Sequence, residues 1–343
     1  MLKRITQFFF QEIPVGLRLP RLVELDAARG IAIVLVVIGH IISKGETPGG
    51  NSWFLSLTDM IYQFHMPLFM ALTGISFALS LPLFKSWNEV GAYFLRRVKP
   101  LIVPFIVMGI VILGGKQIVA QFLDISNPPD SFGSGLLKLL IDPTESAARF
   151  LWFIYVLAIY LMVIPPLFHL IGRRAVLLLA VGIALDFFSW PEKYALRSLT
   201  EYLPFFALGM VLWIYRTIWM PVANWLFWAN TIIFVGLLAY SNQHGVARWV
   251  TGACSILPIL GLIQRLPSRY QSFWAYLGRN SLTIYLFSEI AMGCLKGALF
   301  LLITWDGPNF LFYFPLLVLA GVGVPLAIKA ASVKWLPPVS KFI

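Results

Sequence analysis

The chain is 343 residues long, 59% hydrophobic and only 12% charged, with a mean hydropathy of +0.83. That balance excludes a soluble globular domain and predicts an all-α integral membrane protein. The formal net charge of +11 calls for no nucleic-acid partner, because membrane proteins hold surplus Lys and Arg on the cytoplasmic side of the bilayer.

Long apolar runs broken by charge, Gly and Pro predict about ten transmembrane helices. They lie near residues 27–43, 59–82, 100–121, 150–170, 174–190, 199–219, 225–241, 246–264, 280–303 and 309–331. An even number of spans puts both termini on one side. Lys and Arg are about twice as frequent in the segments sharing the side of the N-terminus, which makes that side cytoplasmic. The expected organisation is a cytoplasmic segment over residues 1–24, one polytopic membrane domain over 25–332 and a cytoplasmic tail over 333–343. The first twenty-odd residues hold Lys3, Arg4, Arg18 and Arg21 but no apolar run ending in a small-residue cleavage site, so the first helix is expected to be retained. The longest connection, residues 122–149, is rich in Pro, Gly and Ser and reads as a loop. Cys254 and Cys294 both fall in apolar helices, which argues against a disulfide framework and a thiolate metal site.

The stretch from Leu25 to Ile42 carries the first chemistry. Asp26 and Arg29 share a helical turn, an aliphatic run follows, and His40 closes the segment. Eleven steps at about 1.5 Å each separate Arg29 from His40 by roughly 16 Å, about half the hydrocarbon thickness of a bilayer. An ionisable group at that depth pairs, lines a cavity or takes part in chemistry, and a histidine that only bonds a neighbouring helix is the plainer alternative. In the opposite direction runs the second span, with Phe64-His65-Met66-Pro67 roughly 9 Å below its outer end, so that His65 and His40 can share a depth. Pro67 predicts a kink whatever the function. His169 and His244 lie near span ends among polar neighbours and read as structural or solvated. Asn280 and Ser281 read as the cap of the ninth span. Trp152 and Tyr285 read as packing or interfacial residues.

Taken together and in order, these motifs resemble the membrane acyltransferase-3 family. The matching residues are Leu25-Asp26-Ala27-Ala28-Arg29-Gly30 with His40, Phe64-His65-Met66-Pro67-Leu68-Phe69 with Thr73-Gly74, Arg96-Arg97 before Pro104, Leu151-Trp152-Phe153, Leu203-Pro204-Phe205-Phe206 with Gly209, and Leu277-Gly278-Arg279-Asn280-Ser281-Leu282 with Tyr285. The first two motifs look most like the branch of fucose 4-O-acetylase-like and exopolysaccharide acetyltransferases. One departure stands out. Where members carry a histidine after the Asn-Ser-Leu motif, this chain has Ser288, followed by an intramembrane acid, Glu289.

The resemblance implies transfer of an acyl group, usually acetyl, from acetyl-CoA or another acyl-CoA to a hydroxyl of a surface polysaccharide or lipid-linked saccharide. The enzyme would sit in the bacterial cytoplasmic (inner) membrane, with polysaccharide assembly proteins as possible partners. A hydroxyl is a poor nucleophile near neutral pH, and histidine, with an ordinary pKa of about 6.5, suits the role of base. His40 is the expected base, with His65 orienting it, relaying the proton or polarising the thioester carbonyl; an acyl-histidine intermediate is a further route. Arg96, Arg97 and Lys99, on an inner loop, offer the fork geometry that phosphate favours, although positive-inside topology alone accounts for them. Asp26 and Arg29 form either a structural ion pair or a group that Asp26 holds toward the donor. Two other classes fit ten spans with intramembrane histidines: a transporter or flippase, and a non-catalytic subunit of a polysaccharide assembly complex.

Overall fold

The computed structural model describes residues 22–42, 48–80, 87–122, 127–244 and 248–335, without side chains for 241–248. Most of the expected N-terminal segment and tail, together with Lys3, Arg4, Arg18, Arg21 and the His244 side chain, lies outside them. Every regular element among the described residues is helical. In chain order they are α1 Val23–Gly39, α2 Ser52–Leu79, α3 Trp87–Tyr93, a π-helical turn Phe94–Val98, α4 Lys99–Val119, α5 Phe132–Ile141, α6 Trp152–Leu170, α7 Ala175–Asp186, α8 Leu196–Ile214, α9 Arg216–Trp225, α10 Phe227–His244, α11 Arg248–Arg265, α12 Ser268–Arg279, α13 Ser281–Phe300 and α14 Phe310–Trp335.

Each of the ten apolar runs falls on a helix, but the boundaries differ in instructive ways. Residues 122–149 are not a plain loop: α5 forms within them, because Ser131 accepts a hydrogen bond from the Ser134 amide while the Ser134 hydroxyl accepts one from the Ser131 amide. Leu139 on α5 is fully buried, and it fills the space that a side chain at Gly109 of α4 would need. The run 199–219 breaks at Tyr215, where the helix turns through 93° into α9. Ahead of the ninth run, α12 is a helix of its own, and α13 begins directly after it at Ser281.

Among the described residues, four helical stretches are long and apolar enough to cross a membrane: Trp87–Val119, Arg149–Leu170, Ser281–Phe300 and Gly307–Trp335. The bent pair of α8 and α9 makes a fifth if it counts as one span. At 17 residues α1 is short for a full crossing. Gln63, His65 and Pro67 lower the hydropathy of the 28-residue α2.

The chain divides into two units. One comprises residues 79–207, where α4 packs on α5 and α6. Trp152 lies against Tyr202 with ring centroids 5.1 Å apart, and the Tyr160 hydroxyl donates to the Leu199 carbonyl at 2.6 Å.

The other unit comprises residues 22–78 and 208–335, and α1 is its axis, packed against α11, α12, α13 and α14. Most closely packed is the crossing of α1 and α12. A Cβ at Gly30 would strike the Trp274 carbonyl and one at Gly278 would strike the Asp26 carbonyl, so the two backbones touch directly. The same device brings α8 against α2, where Gly209 faces the Ala71 carbonyl. Three hydroxyls in α2 donate within their own helix: Thr58, Thr73 and Ser76 to the carbonyls of Phe54, Phe69 and Leu72. A clasp joins the turn before α2 to the turn before α14. In it the Gly49 amide donates to Asp306 at 2.6 Å, the Gly307 amide to the Gly49 carbonyl at 2.7 Å, and the Asn51 side chain to the Gly307 carbonyl at 2.9 Å.

Candidate active site

Asp26 lies in the first turns of α1, where an acid is favoured by the helix dipole, and it is buried. One turn on, the Arg29 guanidinium approaches its carboxylate at 3.8 Å and donates to the Ser76 hydroxyl near the end of α2. Ser76 in turn donates to the Leu72 carbonyl at 3.0 Å. Arg29 therefore ties α1 to α2 and is held in a fixed orientation, with its side chain 23% exposed.

At the far end of α1 the helix stops at Gly39, and His40 is the residue that terminates it. The expected span to residue 43 is thus too long, and His40 projects from a helix end. Its Nδ1 lies 2.6 Å from Oε1 of Glu289 in the middle of α13. Opposite a carboxylate in its ionised form, which only accepts, a neutral imidazole holds its proton on Nδ1 and its lone pair on Nε2. Both side chains retain access, at 25% and 35% exposure.

Tyr62 of α2 stands beside this pair. Its hydroxyl donates to the Gly39 carbonyl at 3.0 Å, satisfying one of the carbonyls left over at the helix end. Its ring lies 6.3 Å from the His40 ring and meets His65 edge to face at 5.1 Å. His65 is buried, and its Nδ1 donates to the Ile61 carbonyl at 2.7 Å, since a carbonyl can only accept. Its Nε2 is therefore the acceptor in the neutral ring. The structure thus gathers His40, Tyr62, His65 and Glu289 in one unit, with Asp26, Arg29 and Ser76 toward the other end of α1.

Arg96, Arg97 and Lys99 belong to the other unit. The first two lie in the π-helical turn, Lys99 begins α4, and all three are exposed. A π turn widens the helix by one residue and recurs at functional positions.

Other expectations resolve plainly. Ser288 is buried and its hydroxyl turns back toward the Tyr285 carbonyl at 3.5 Å. The neighbouring Glu289 is the one that reaches His40. Asn280 does not cap α13 with its side chain; it donates instead to the Tyr276 carbonyl at 2.8 Å, closing the end of α12. His169 is exposed in the last turn of α6. Sequence reasoning missed Tyr62, Ser76 and the pairing of Glu289 with His40. An acid inside an apolar run was the available signal for Glu289, but nothing local names its partner.

Among the described residues every regular element is helical and several helices are apolar and of membrane length, which marks an integral membrane protein. The profile of the acyltransferase domain of the acyltransferase-3 family matches residues 22–330, across both units, and the chain belongs to that family of membrane acyltransferases. Two curated relatives are the nodulation proteins NolL of Sinorhizobium fredii, 29% identical over 193 residues, and of Mesorhizobium japonicum, 29% identical over 219 residues. These alignments cover 55% and 62% of this chain but only 48% and 52% of the relatives, so the chain spans about half the length of the curated proteins it matches. No solved structure matches it.

Proposed function

We propose that the chain is an integral-membrane O-acyltransferase of the bacterial inner membrane. It moves an acyl group, usually acetyl, from cytoplasmic acyl-CoA to a hydroxyl of a surface polysaccharide or lipid-linked saccharide, with His40 as general base. The observation that carries this reading is the 2.6 Å contact between His40 Nδ1 and Glu289. A carboxylate on Nδ1 fixes the tautomer, orients the ring and stabilises the imidazolium that forms when Nε2 takes a proton.

In the reaction, Nε2 removes the proton of the acceptor hydroxyl as its oxygen attacks the thioester carbonyl. The new ester C–O bond forms and the C–S bond breaks. The departing thiolate then takes the proton from the imidazolium, leaving free CoA and neutral His40. His65, across the Tyr62 ring, relays that proton or holds the acceptor. Arg96, Arg97 and Lys99 bind the donor's phosphates, and Asp26 and Ser76 aim Arg29 toward the donor's arm.

In this reading ten helices cross the bilayer, α1, α2, α4, α6, α7, α8, α10, α11, α13 and α14, with both termini cytoplasmic. What supports the count is that every expected apolar run falls on one of them. The organisation remains one catalytic membrane domain over 25–332 between the segments 1–24 and 333–343.

The test is to supply radiolabelled acetyl-CoA and a saccharide acceptor to the purified chain in liposomes. Label is expected in ester linkage to carbohydrate, and its absence with wild type alongside normal thioester binding would overturn the reading.

A further inference from the structure

At the break between α8 and α9 the chain lines a half-open cavity of about 520 Å³, within the range of small-molecule sites. It is walled by the start of α1, Ile75 of α2, α9 and the second half of α11, and its lining is largely apolar. Two of its lining residues carry charge, Glu24 and Arg216.

Among the described residues neither Glu24 nor Arg216 makes an ion pair. Arg216 donates to the Trp213 carbonyl at 3.0 Å and its guanidinium lies over the Trp213 ring at 4.2 Å, which holds it at the break without neutralising it. The Trp219 indole donates back to the Leu212 carbonyl at 2.6 Å, so the bend is a built feature that satisfies its own freed carbonyls.

The placing of the outer wall rests on the proposed function above, in which α8 crosses the bilayer: α9, set at 93° to it, then lies along the membrane surface with its outer side toward lipid. No residue of α9 is buried, and Ile218, Val222 and Trp225, at i, i+4 and i+7, put an exposed apolar stripe on one side of it. Its other residues, Trp219, Met220 and Ala223 among them, line the cavity. An occupant is therefore one that enters from the headgroup layer, carries an apolar chain, and brings one negative and one positive group. We infer that this cavity binds a single zwitterionic phospholipid of the ethanolamine type, its phosphate on Arg216, its ammonium on Glu24 and an acyl chain in the apolar interior. A single guanidinium beside an acid matches a phosphodiester with an amine. It does not match the several phosphates of a CoA.

The experiment is native mass spectrometry of the full chain in detergent, back-titrated with phosphatidylethanolamine, phosphatidylglycerol or acetyl-CoA. Wild type should retain one phosphatidylethanolamine at least about tenfold in preference to phosphatidylglycerol. Glu24→Gln should bring that preference to near one. Leu257→Trp, which fills the cavity, should abolish the adduct while Glu24→Gln keeps a folded comparison. Equal retention of the two lipids by wild type, an unchanged preference in Glu24→Gln, or displacement of the lipid by acetyl-CoA at equimolar concentration would overturn the proposal.

Discussion

His40 and Glu289 are 249 positions apart in the chain, yet their side chains meet at 2.6 Å. The contact joins the end of one helix to the middle of another, and an ionised carboxylate there would hold the imidazole proton on Nδ1 and leave the lone pair on Nε2. Glu289→Gln preserves shape but removes the charge that stabilises the imidazolium. It is expected to lower transfer per folded molecule by about 10²–10⁴, as is His40→Ala, with the double variant no worse than the more damaging single one, because the two act as a unit. Measured acetyl transfer in liposomes checks this. His40 closes a helix and is part-exposed, so its loss should leave expression normal. The buried His65 behaves differently: His65→Ala should lower both turnover and thermal stability, the latter by about 1–3 kcal/mol.

Exposed guanidiniums on the π-helical turn do little for stability but a good deal for an anion. Arg96→Ala with Arg97→Ala should raise the KM for acyl-CoA by an amount corresponding to about 1.5–3 kcal/mol per arginine, with unfolding unchanged. Unaltered donor affinity in a normally inserted double variant would remove this turn from the donor site.

Gly278 and Gly30 let α12 and α1 touch backbone to backbone. Gly278→Ala drives a methyl into the Asp26 carbonyl, and overpacking of this kind costs about 1–3 kcal/mol. The expected result is a lower melting temperature in detergent. Activity should fall as well, since the shifted residue is the one that braces Arg29. Gly297→Ala, with open space around its Cβ, is the control and should behave as wild type.

Sidedness follows from the distribution of Lys and Arg. In a chain with Cys254 and Cys294 replaced, Asp130→Cys should react with an impermeant thiol reagent in intact cells, while Arg96→Cys should react only after the membrane is opened. The reverse pattern would invert the topology.

Much of this protein was written in its sequence. A chain that is 59% hydrophobic, with its apolar residues in long unbroken runs and not in the alternating pattern of barrel strands, calls for helices in a membrane, and each apolar run did become one. Arg29, His40 and His65 were legible because ionisable groups within such runs are expensive to keep without a use. Local patterning erred where a few hydrogen bonds or one contact outweigh composition. It read 122–149 as a loop because prolines and glycines argue against helix, whereas the reciprocal serine cap and the burial of Leu139 against Gly109 stabilise α5. It ran the sixth span straight through Tyr215, whereas Arg216 and Trp219 bind the carbonyls of Trp213 and Leu212 and stabilise a right-angled bend. Tertiary structure alone decided which polar groups meet. Hydropathy has no term for azimuth or for distance between remote segments, so it could not see Glu289 turn to His40 while Ser288 turns away. That outcome is fixed by the close passage of α1 across α12, where Gly30 and Gly278 leave no side chain between the backbones, and by α13 following directly after it.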